Sequence, residues 1–132
     1  MSELFKKLNL RPRLPVLLLN APASFEPEVA ALAGVTVLRS LEQGQDVRFA
    51  LTFVITQEDL DAQAAALVAK AAGDALLWFA YPKQTSKRYR CEFNRDSGWG
   101  VLEAAGYQKV RMVAIDEDWS ALRFRKLEFM KQ

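Results

Sequence analysis

The sequence predicts a single three-layer α/β domain, with a mostly parallel sheet that carries an antiparallel hairpin at its C-terminal edge. Short apolar runs recur along the chain and alternate with segments that have the apolar spacing of helices. Because parallel neighbours need a crossover connection, this alternation indicates parallel strands that are covered on both faces. The last two apolar runs are joined too tightly for a crossover, so we expect them to pair antiparallel.

The first half of the chain contains two predicted strands. The continuous apolar run Val16–Leu19 follows Pro15 and is typical of a strand buried on both faces, which makes it the candidate for a central first strand. Ser24 can cap a short helix that ends before Gly34. Residues 35–38 then form a short second strand, followed by a polar connection.

The middle of the chain contains a strand, a helix and a second strand. Residues 49–55 form a largely apolar run. Thr56 and Asp59 form a weak capping box at the start of the next helix, and Gly73 is expected to end that helix. Residues 75–81 are apolar throughout, which predicts another buried strand.

The last third begins with a basic loop and ends with the hairpin. Asp96 or Ser97 can cap a helix that Gly106 terminates, and residues 109–115 form the next strand. Apolar residues alternate over 122–124, but Leu127 and Phe129 have the opposite parity. This change predicts a bulge near Arg125 and Lys126, or a strand that changes its surroundings.

Composition restricts the classes of function. The chain of 132 residues fits one domain over 1–132, and its net charge of +2 gives no strong reason to expect nucleic acid or an anionic membrane as partner. The sequence has one cysteine and no histidine, which excludes Ser-His-Asp and Cys-His catalysis and the usual Cys/His zinc sites. Residues 1–13 lack the apolar core of a signal peptide, so we expect a cytoplasmic protein.

The candidate site lies where predicted strands end. Open α/β sheets bind ligands at the carboxyl ends of their strands, and the strand 75–81 runs directly into a loop rich in lysine and arginine. Cationic groups and a hydroxyl there could bind phosphate or carboxylate, although the loop could also be merely solvated. Residues 20–22 could face the same crevice or only shape a turn. The predicted ligand-binding residues are Asn20, Ala21, Pro22, Tyr81, Lys83, Ser86, Lys87, Arg88 and Trp119.

Three weaker candidates accompany this site. Tyr89 and Phe93 alternate with arginines, as in surfaces that stack on nucleic acid, but such aromatics also pin loops to a domain. Neighbouring cations could activate Cys91, which without a histidine partner is more simply a passive side chain. The acidic run 116–118 could hold a hard cation or form a soluble turn. We predict no catalytic residue and no metal site.

Two segments carry a resemblance to a large enzyme family. Residues 73–78 (Gly-Asp-Ala-Leu-Leu-Trp) and 102–107 (Leu-Glu-Ala-Ala-Gly-Tyr), followed by the hairpin, resemble the C-terminal half of class I S-adenosylmethionine-dependent methyltransferases. The chain departs from that family in having Asn-Ala-Pro-Ala at 20–23 where those enzymes have a glycine-rich turn. Arg39 and Ser40 stand where an acidic ribose ligand is expected, and the chain is one strand-helix unit short.

Almost the whole chain is also similar to a family of short bacterial proteins of unknown function. The matching residues are 16–22, Tyr81-Pro82-Lys83 with Ser86, and 116–124. This resemblance implies a reduced methyltransferase-like fold, also called Rossmann-like, and a bacterial cytoplasmic setting, and it implies no activity.

Two main functional hypotheses follow. The first is a non-catalytic protein that binds a small anionic ligand or a protein partner at the carboxyl edge of the sheet, with no cofactor. The alternative is a divergent methyltransferase that holds S-adenosylmethionine without the glycine turn. A third hypothesis is a component of an assembly that docks through the basic loop.

Overall fold

The computed structural model describes residues 3–11 and 13–130, which form six strands and four α-helices. The helices of this part are short apart from the third, and none is long and apolar enough to cross a membrane. Turns of 3-10 helix lie at Ala23–Phe25, Leu41–Gln43 and Leu127–Phe129. In chain order the elements are α1 (Glu3–Lys7), β1 (Val16–Leu19), α2 (Glu26–Ala30), β2 (Val37–Leu38), β3 (Val47–Phe53), α3 (Gln57–Lys70), β4 (Ala71–Pro82), α4 (Gly100–Ala104), β5 (Tyr107–Ala114) and β6 (Trp119–Lys126).

One sheet contains all six of these strands, in the order β2-β1-β3-β4-β6-β5. The first four strands in this order pair parallel, whereas β6 pairs antiparallel with both β4 and β5. The predicted mostly parallel sheet with a hairpin at its edge is therefore confirmed. β1 has a neighbour on each side, as expected, but β3 and β4 occupy the centre.

Side chains on the two faces of the sheet pack into two separate hydrophobic clusters. Because side chains alternate along a strand, Phe79 of β4 points to the layer of α3 and α4, while Trp78 points to the layer of α1 and α2. The two largest contributions from the N-terminal segment are Phe5 and Leu8, which are fully buried against the second face. The sheet is thus the middle layer of three, as predicted.

The helix α3 begins as the sequence predicts and ends earlier. The backbone N–H of Asp59 donates to Thr56 Oγ1 at 3.0 Å, which confirms the N-terminal cap. The chain leaves the helix at Ala71, whose backbone is extended, and continues directly into β4. Gly73 therefore does not end the helix, as was expected, but lies near the start of the strand with φ of +59°.

Two other predicted caps are wrong. Ser24 lies inside the 3-10 turn that precedes α2, and neither end of that segment has a side-chain cap. The helix α4 follows Trp99, also without a side-chain cap. Asp96 and Ser97 instead form a turn around Asn94, whose Oδ1 accepts hydrogen bonds from the Asp96 N–H at 2.8 Å and the Ser97 hydroxyl at 3.2 Å.

The irregularity predicted near Arg125 and Lys126 lies on the partner strand instead. The pairing of β5 with β6 shifts register between Lys109 and Arg111, so the extra residue is Val110. The parity change at Leu127 has a simpler cause, since β6 ends at Lys126 and a 3-10 turn follows.

Candidate functional site

The strand order reverses between β1 and β3, which makes their carboxyl ends the switch point of the sheet. The chain leaves β1 towards β2 on one side, and β3 pairs with β1 on the other. Such switch points are the usual ligand sites of open α/β sheets. Asn20 follows β1 directly, is exposed, and has φ of +59°. This asparagine supplies the left-handed backbone that a glycine would otherwise provide.

A bidentate ion pair joins the chain segments that follow β1 and β2. Arg39 Nη1 donates to Glu26 Oε2 at 2.9 Å, and Arg39 Nη2 donates to Glu26 Oε1 at 2.8 Å. These hydrogen bonds hold the pKa of Glu26 below its usual value and raise the pKa of Arg39. Arg39 follows β2, where dinucleotide-binding folds place an acidic group for the ribose. In this chain that position holds a cation that already has a partner.

A row of aromatic side chains covers the sheet beside the same edge. The ring centroids are 5.0 Å apart for Phe25 and Phe53, 5.0 Å for Phe53 and Trp119, and 4.9 Å for Trp119 and Tyr89. Trp119, predicted to be a ligand-binding residue, is only 3% exposed and is part of this packing. Its Nε1 is buried and has no hydrogen-bond acceptor among the described residues.

Asp118, at the turn before β6, fixes the basic loop that follows β4. Its backbone carbonyl accepts from the Lys83 N–H at 2.7 Å, and its Oδ1 accepts from the Ser86 hydroxyl at 2.8 Å. Ser86 Oγ in turn accepts from the N–H groups of Arg88 at 3.3 Å and Tyr89 at 3.2 Å. The Ser86 hydroxyl, expected to donate to a ligand, therefore donates to Asp118 and shapes the loop.

The largest cleft at this edge lies between the start of the loop and its later part. It has a volume of about 380 Å³. Lys83 and Arg90 both line it, and neither forms an ion pair within the described part of the chain. Glu92 also lines it, and its Oε1 accepts from the Gln57 N–H at 2.9 Å, at the start of α3. The other lining residues are Pro82, Gln84, Ser86, Tyr89, Cys91, Phe93, Asn94 and Ser97.

A second cleft of about 320 Å³ adjoins the first and shares Lys83 with it. Tyr81 lines it beside Met112, with the hydroxyl 3.5 Å from the Met112 sulfur. Burial raises the pKa of Tyr81, so its hydroxyl stays protonated near neutral pH. The charges that line this second cleft partly neutralise each other, because Asp96 Oδ1 lies 3.5 Å from Arg95 Nε.

The structure brings together only some of the predicted site residues. Tyr81, Lys83 and Ser86 line the adjoining clefts. Six other predicted residues do not line either of them: Asn20, Ala21, Pro22, Lys87, Arg88 and Trp119. Arg90 was not selected from the sequence, although its place in the basic loop was the signal that could have indicated it.

The surroundings of Cys91 and of the acidic turn at 116–118 favour structural roles for both. Burial raises the pKa of the half-buried Cys91 thiol, so this side chain is protonated near neutral pH and is a weak nucleophile. Asp116 Oδ1 accepts from the N–H groups of Asp118 at 2.8 Å and Trp119 at 2.9 Å, which is the hydrogen bonding of a turn. Within the described residues, no group of three or more acidic or cysteine side chains could hold a metal ion.

Solved structures with a similar backbone include several S-adenosylmethionine-dependent methyltransferases. The structure of one from Aquifex aeolicus matches with a TM-score of 0.64 at 17% identity, covering 95% of this chain and 88% of that one. Magnesium protoporphyrin IX methyltransferase from Synechocystis PCC 6803, with bound S-adenosylhomocysteine, matches with a TM-score of 0.61 at 13% identity, over 93% and 78%. The chain has a methyltransferase-like fold.

A third match is more distant but agrees with this fold. The N-methyltransferase NodS from Bradyrhizobium japonicum WM9, in complex with S-adenosylhomocysteine, has a TM-score of 0.52 at 14% identity, over 92% of this chain and 71% of that one. No protein-family model matches the sequence, and no curated protein matches it either. At these identities the likeness establishes the fold and leaves the activity open.

The residues at the switch point do not fit S-adenosylmethionine in the usual mode. The turn after β1 carries Asn20, Ala21 and Pro22, so side chains stand where a glycine turn would let the backbone approach a cofactor. The acidic ribose ligand is replaced by Arg39, which is paired with Glu26. The methyltransferase-like fold is therefore present without the glycine turn and the acidic residue of the usual cofactor site.

Proposed function

We propose that this protein binds a small anionic ligand at the cleft beside Lys83 and Arg90 and catalyses no reaction. The observation that supports this most directly is that two cations without ion-pair partners in the described chain line one cleft of about 380 Å³. Ammonium and guanidinium groups bind carboxylate and phosphate strongly when they converge. The cleft lies at the carboxyl end of β4, on the side of the sheet where ligands of this architecture bind.

The groups around the cleft favour binding over catalysis. General acid-base chemistry needs a pair of groups whose pKa values are poised near the working pH. Burial raises the pKa values of Tyr81 and Cys91, which keeps both protonated. The carboxylate of Glu92 is bound to the first turn of α3. None of these side chains is placed as a free base.

Thermal unfolding with a panel of anions tests this proposal. Phosphate, citrate and adenosine monophosphate are each compared with chloride at the same ionic strength, since a ligand that binds the native state raises Tm. We expect at least one anion to raise Tm. Lys83→Met and Arg90→Met should each weaken the apparent affinity about tenfold, as expected for one charge-assisted contact.

Lys87→Met is the matched control, because Lys87 lies on the same loop, is exposed and lines neither cleft. It removes the same charge and should leave the affinity unchanged. If Lys83→Met and Arg90→Met retain the full wild-type affinity, or if Lys87→Met weakens it equally, the proposed cleft is not the binding site.

A divergent methyltransferase is the second candidate, favoured by the overlap with a methyltransferase that holds S-adenosylhomocysteine. The same unfolding assay distinguishes it. S-adenosylmethionine and S-adenosylhomocysteine should cause no more stabilisation than adenosine plus methionine at equal concentration. A saturable rise in Tm with S-adenosylhomocysteine alone would contradict the non-catalytic proposal.

A further inference from the structure

A cluster of arginines lies at the other end of the sheet from the cleft of Lys83 and Arg90. It surrounds a cleft of about 310 Å³ near the amino ends of β3 and β4. Three of the six lining residues are arginines, and only one is acidic. The lining residues are Arg11, Leu14, Arg48, Asp74, Leu76 and Arg123.

Two of the arginines in this region face each other across paired strands. Arg111 of β5 and Arg123 of β6 are direct cross-strand partners. Like charges in this arrangement destabilise a sheet. In the described chain, no carboxylate forms an ion pair with either of them. The fold thus holds two mutually repelling cations together, and neither has an ion-pair partner among the described residues.

The one acidic group in the cleft is already neutralised. Asp74 accepts hydrogen bonds from Arg125 Nε at 2.9 Å and 3.1 Å, and from Arg125 Nη2 at 2.6 Å. Both carboxylate oxygens are therefore bound to a fifth arginine of the region, Arg125. Arg11, Arg48 and Arg123 form no ion pair within the described part of the chain.

Arg123 shows most clearly that a partner is missing. Its Nε is buried and has no hydrogen-bond acceptor among the described residues. Burial lowers the pKa of this guanidinium, and the charges of Arg125, Arg11 and Arg111 lower it further, against the opposing effect of Asp74. A guanidinium nevertheless stays charged near neutral pH. Leaving a buried donor unpaired is unfavourable. The same guanidinium lines the cleft, so an anionic ligand there would offset its charge.

The guanidinium of Arg48, which lines the same cleft, lies against Gly73. A Cβ at Gly73 would lie 3.1 Å from Arg48 Nη1, which is closer than most real contacts of a Cβ. Gly73 also has φ of +59°, a conformation that residues with side chains rarely adopt. Gly73, near the start of β4, therefore leaves room for the Arg48 guanidinium.

We propose that this cleft, lined by Arg11, Arg48 and Arg123, binds the phosphate group of a small molecule. Guanidinium groups form two parallel hydrogen bonds with phosphate oxygens, and a phosphate offers enough acceptors for several arginines at once. A phosphate monoester carries nearly two negative charges at pH 7, which balances three cations better than a carboxylate does. Leu14 and Leu76 provide apolar walls for the rest of such a molecule.

The charge on the ligand sets the expected pH dependence. The second pKa of a phosphate monoester lies near 6, so the ligand loses one charge as the pH falls below about 6. The arginines keep theirs over this range. Affinity should therefore decrease between pH 7 and pH 5 and should also decrease with added salt.

Titration of inorganic phosphate, followed by 31P NMR and by thermal unfolding, tests this proposal. The experiment uses the Lys83→Met/Arg90→Met double variant as the starting protein, because it lacks the two cations of the anion site proposed above. In this starting protein we expect saturable phosphate binding. Arg48→Met and Arg123→Met should each weaken it about tenfold or more, which is the scale of one charge-assisted hydrogen bond. Lys87→Met, with the same loss of charge at an exposed position, should leave it unchanged.

The Arg123→Met variant should fold, because it removes the repulsion with Arg111 and an unpaired buried donor. Its Tm in chloride should equal or exceed that of the starting protein. Absence of saturable binding in the starting protein, or unchanged affinity in both arginine variants, would overturn the proposal. A short single-stranded DNA that binds through the same arginines far more tightly than a sugar phosphate would contradict a small-molecule ligand.

Discussion

Glu26 and Arg39 connect the start of α2 to the end of β2 through two parallel hydrogen bonds of 2.9 Å and 2.8 Å. The pair lies in the segments that follow β1 and β2, beside the switch point where open α/β sheets usually bind ligands. A cation with a bound carboxylate cannot serve as the acidic ribose ligand. The ion pair therefore distinguishes this position from the acidic ribose site of dinucleotide-binding folds.

Arg39→Met should raise the pKa of Glu26 towards its usual value, because the hydrogen bonds that lower it are removed. A carboxyl whose folded pKa is lowered stabilises the protein above its unfolded pKa, and this contribution is lost as the pH falls through the folded pKa. The variant should lose that part of the acid dependence of unfolding. Titration of the Glu26 carboxyl by NMR measures the change.

Arg88→Met is a suitable control for this titration, since Arg88 is a solvent-exposed arginine whose nearest acidic neighbour is Asp118, at 3.9 Å. It removes an arginine without touching the pair and should leave the Glu26 titration as in the wild type. An unchanged Glu26 pKa in Arg39→Met would show that the pair does not form in solution.

Ser86→Ala should destabilise the protein by about 1 to 2 kcal/mol, because the change removes a hydrogen bond to a carboxylate and two from backbone N–H groups. The Arg88 and Tyr89 amides, which donate to Ser86 Oγ, should exchange with solvent faster. Ser24→Ala is the matched control, since Ser24 is exposed and makes no cap. It should change the free energy of unfolding by less than about 0.5 kcal/mol. Equal effects of the two changes in urea denaturation would contradict the role assigned to Ser86.

Trp78→Phe should cost more stability than Trp119→Phe. Both rings are buried, but Trp78 Nε1 donates to the Leu8 carbonyl at 2.9 Å, whereas Trp119 Nε1 has no acceptor among the described residues. The first change leaves a buried carbonyl without its donor, which costs about 1 to 3 kcal/mol beyond the loss of packing. The second removes an unsatisfied donor. Urea denaturation of both variants gives the difference, and equal costs would show that Trp119 Nε1 has a partner in solution.

The sequence predicts the sheet well because apolar runs report burial directly. Val16–Leu19 and the run that ends at Tyr81 are continuous, and both are strands buried on both faces. The N-cap at Thr56 is local, so its pattern is also readable. The ends of helices are harder to predict from the sequence. Gly73 was expected to end α3, but the helix ends at Ala71, where the backbone becomes extended.

The sites are less predictable because they depend on contacts between distant parts of the chain. The sequence shows that the loop after β4 is basic, but it does not show that Asp118 takes the Ser86 hydroxyl. The arginine cleft is harder still, since Arg48 and Arg123 meet only after β3, β4 and β6 have paired. No run or motif in the sequence marks these residues as neighbours.

The backbone at Asn20 yields a last prediction, which concerns the turn after β1. Its φ of +59° is unfavourable for a residue with a Cβ, and asparagine and glycine tolerate it best. Asn20→Gly should therefore stay within about 0.5 kcal/mol of the wild type, whereas Asn20→Ala should lose about 1 kcal/mol or more. Ala31→Gly is the control, because Ala31 is exposed and has φ of −77°. There glycine should destabilise, by about 0.5 to 1 kcal/mol. Urea denaturation decides the matter, and an Asn20→Ala variant as stable as the wild type would mean that the turn does not hold the left-handed conformation in solution.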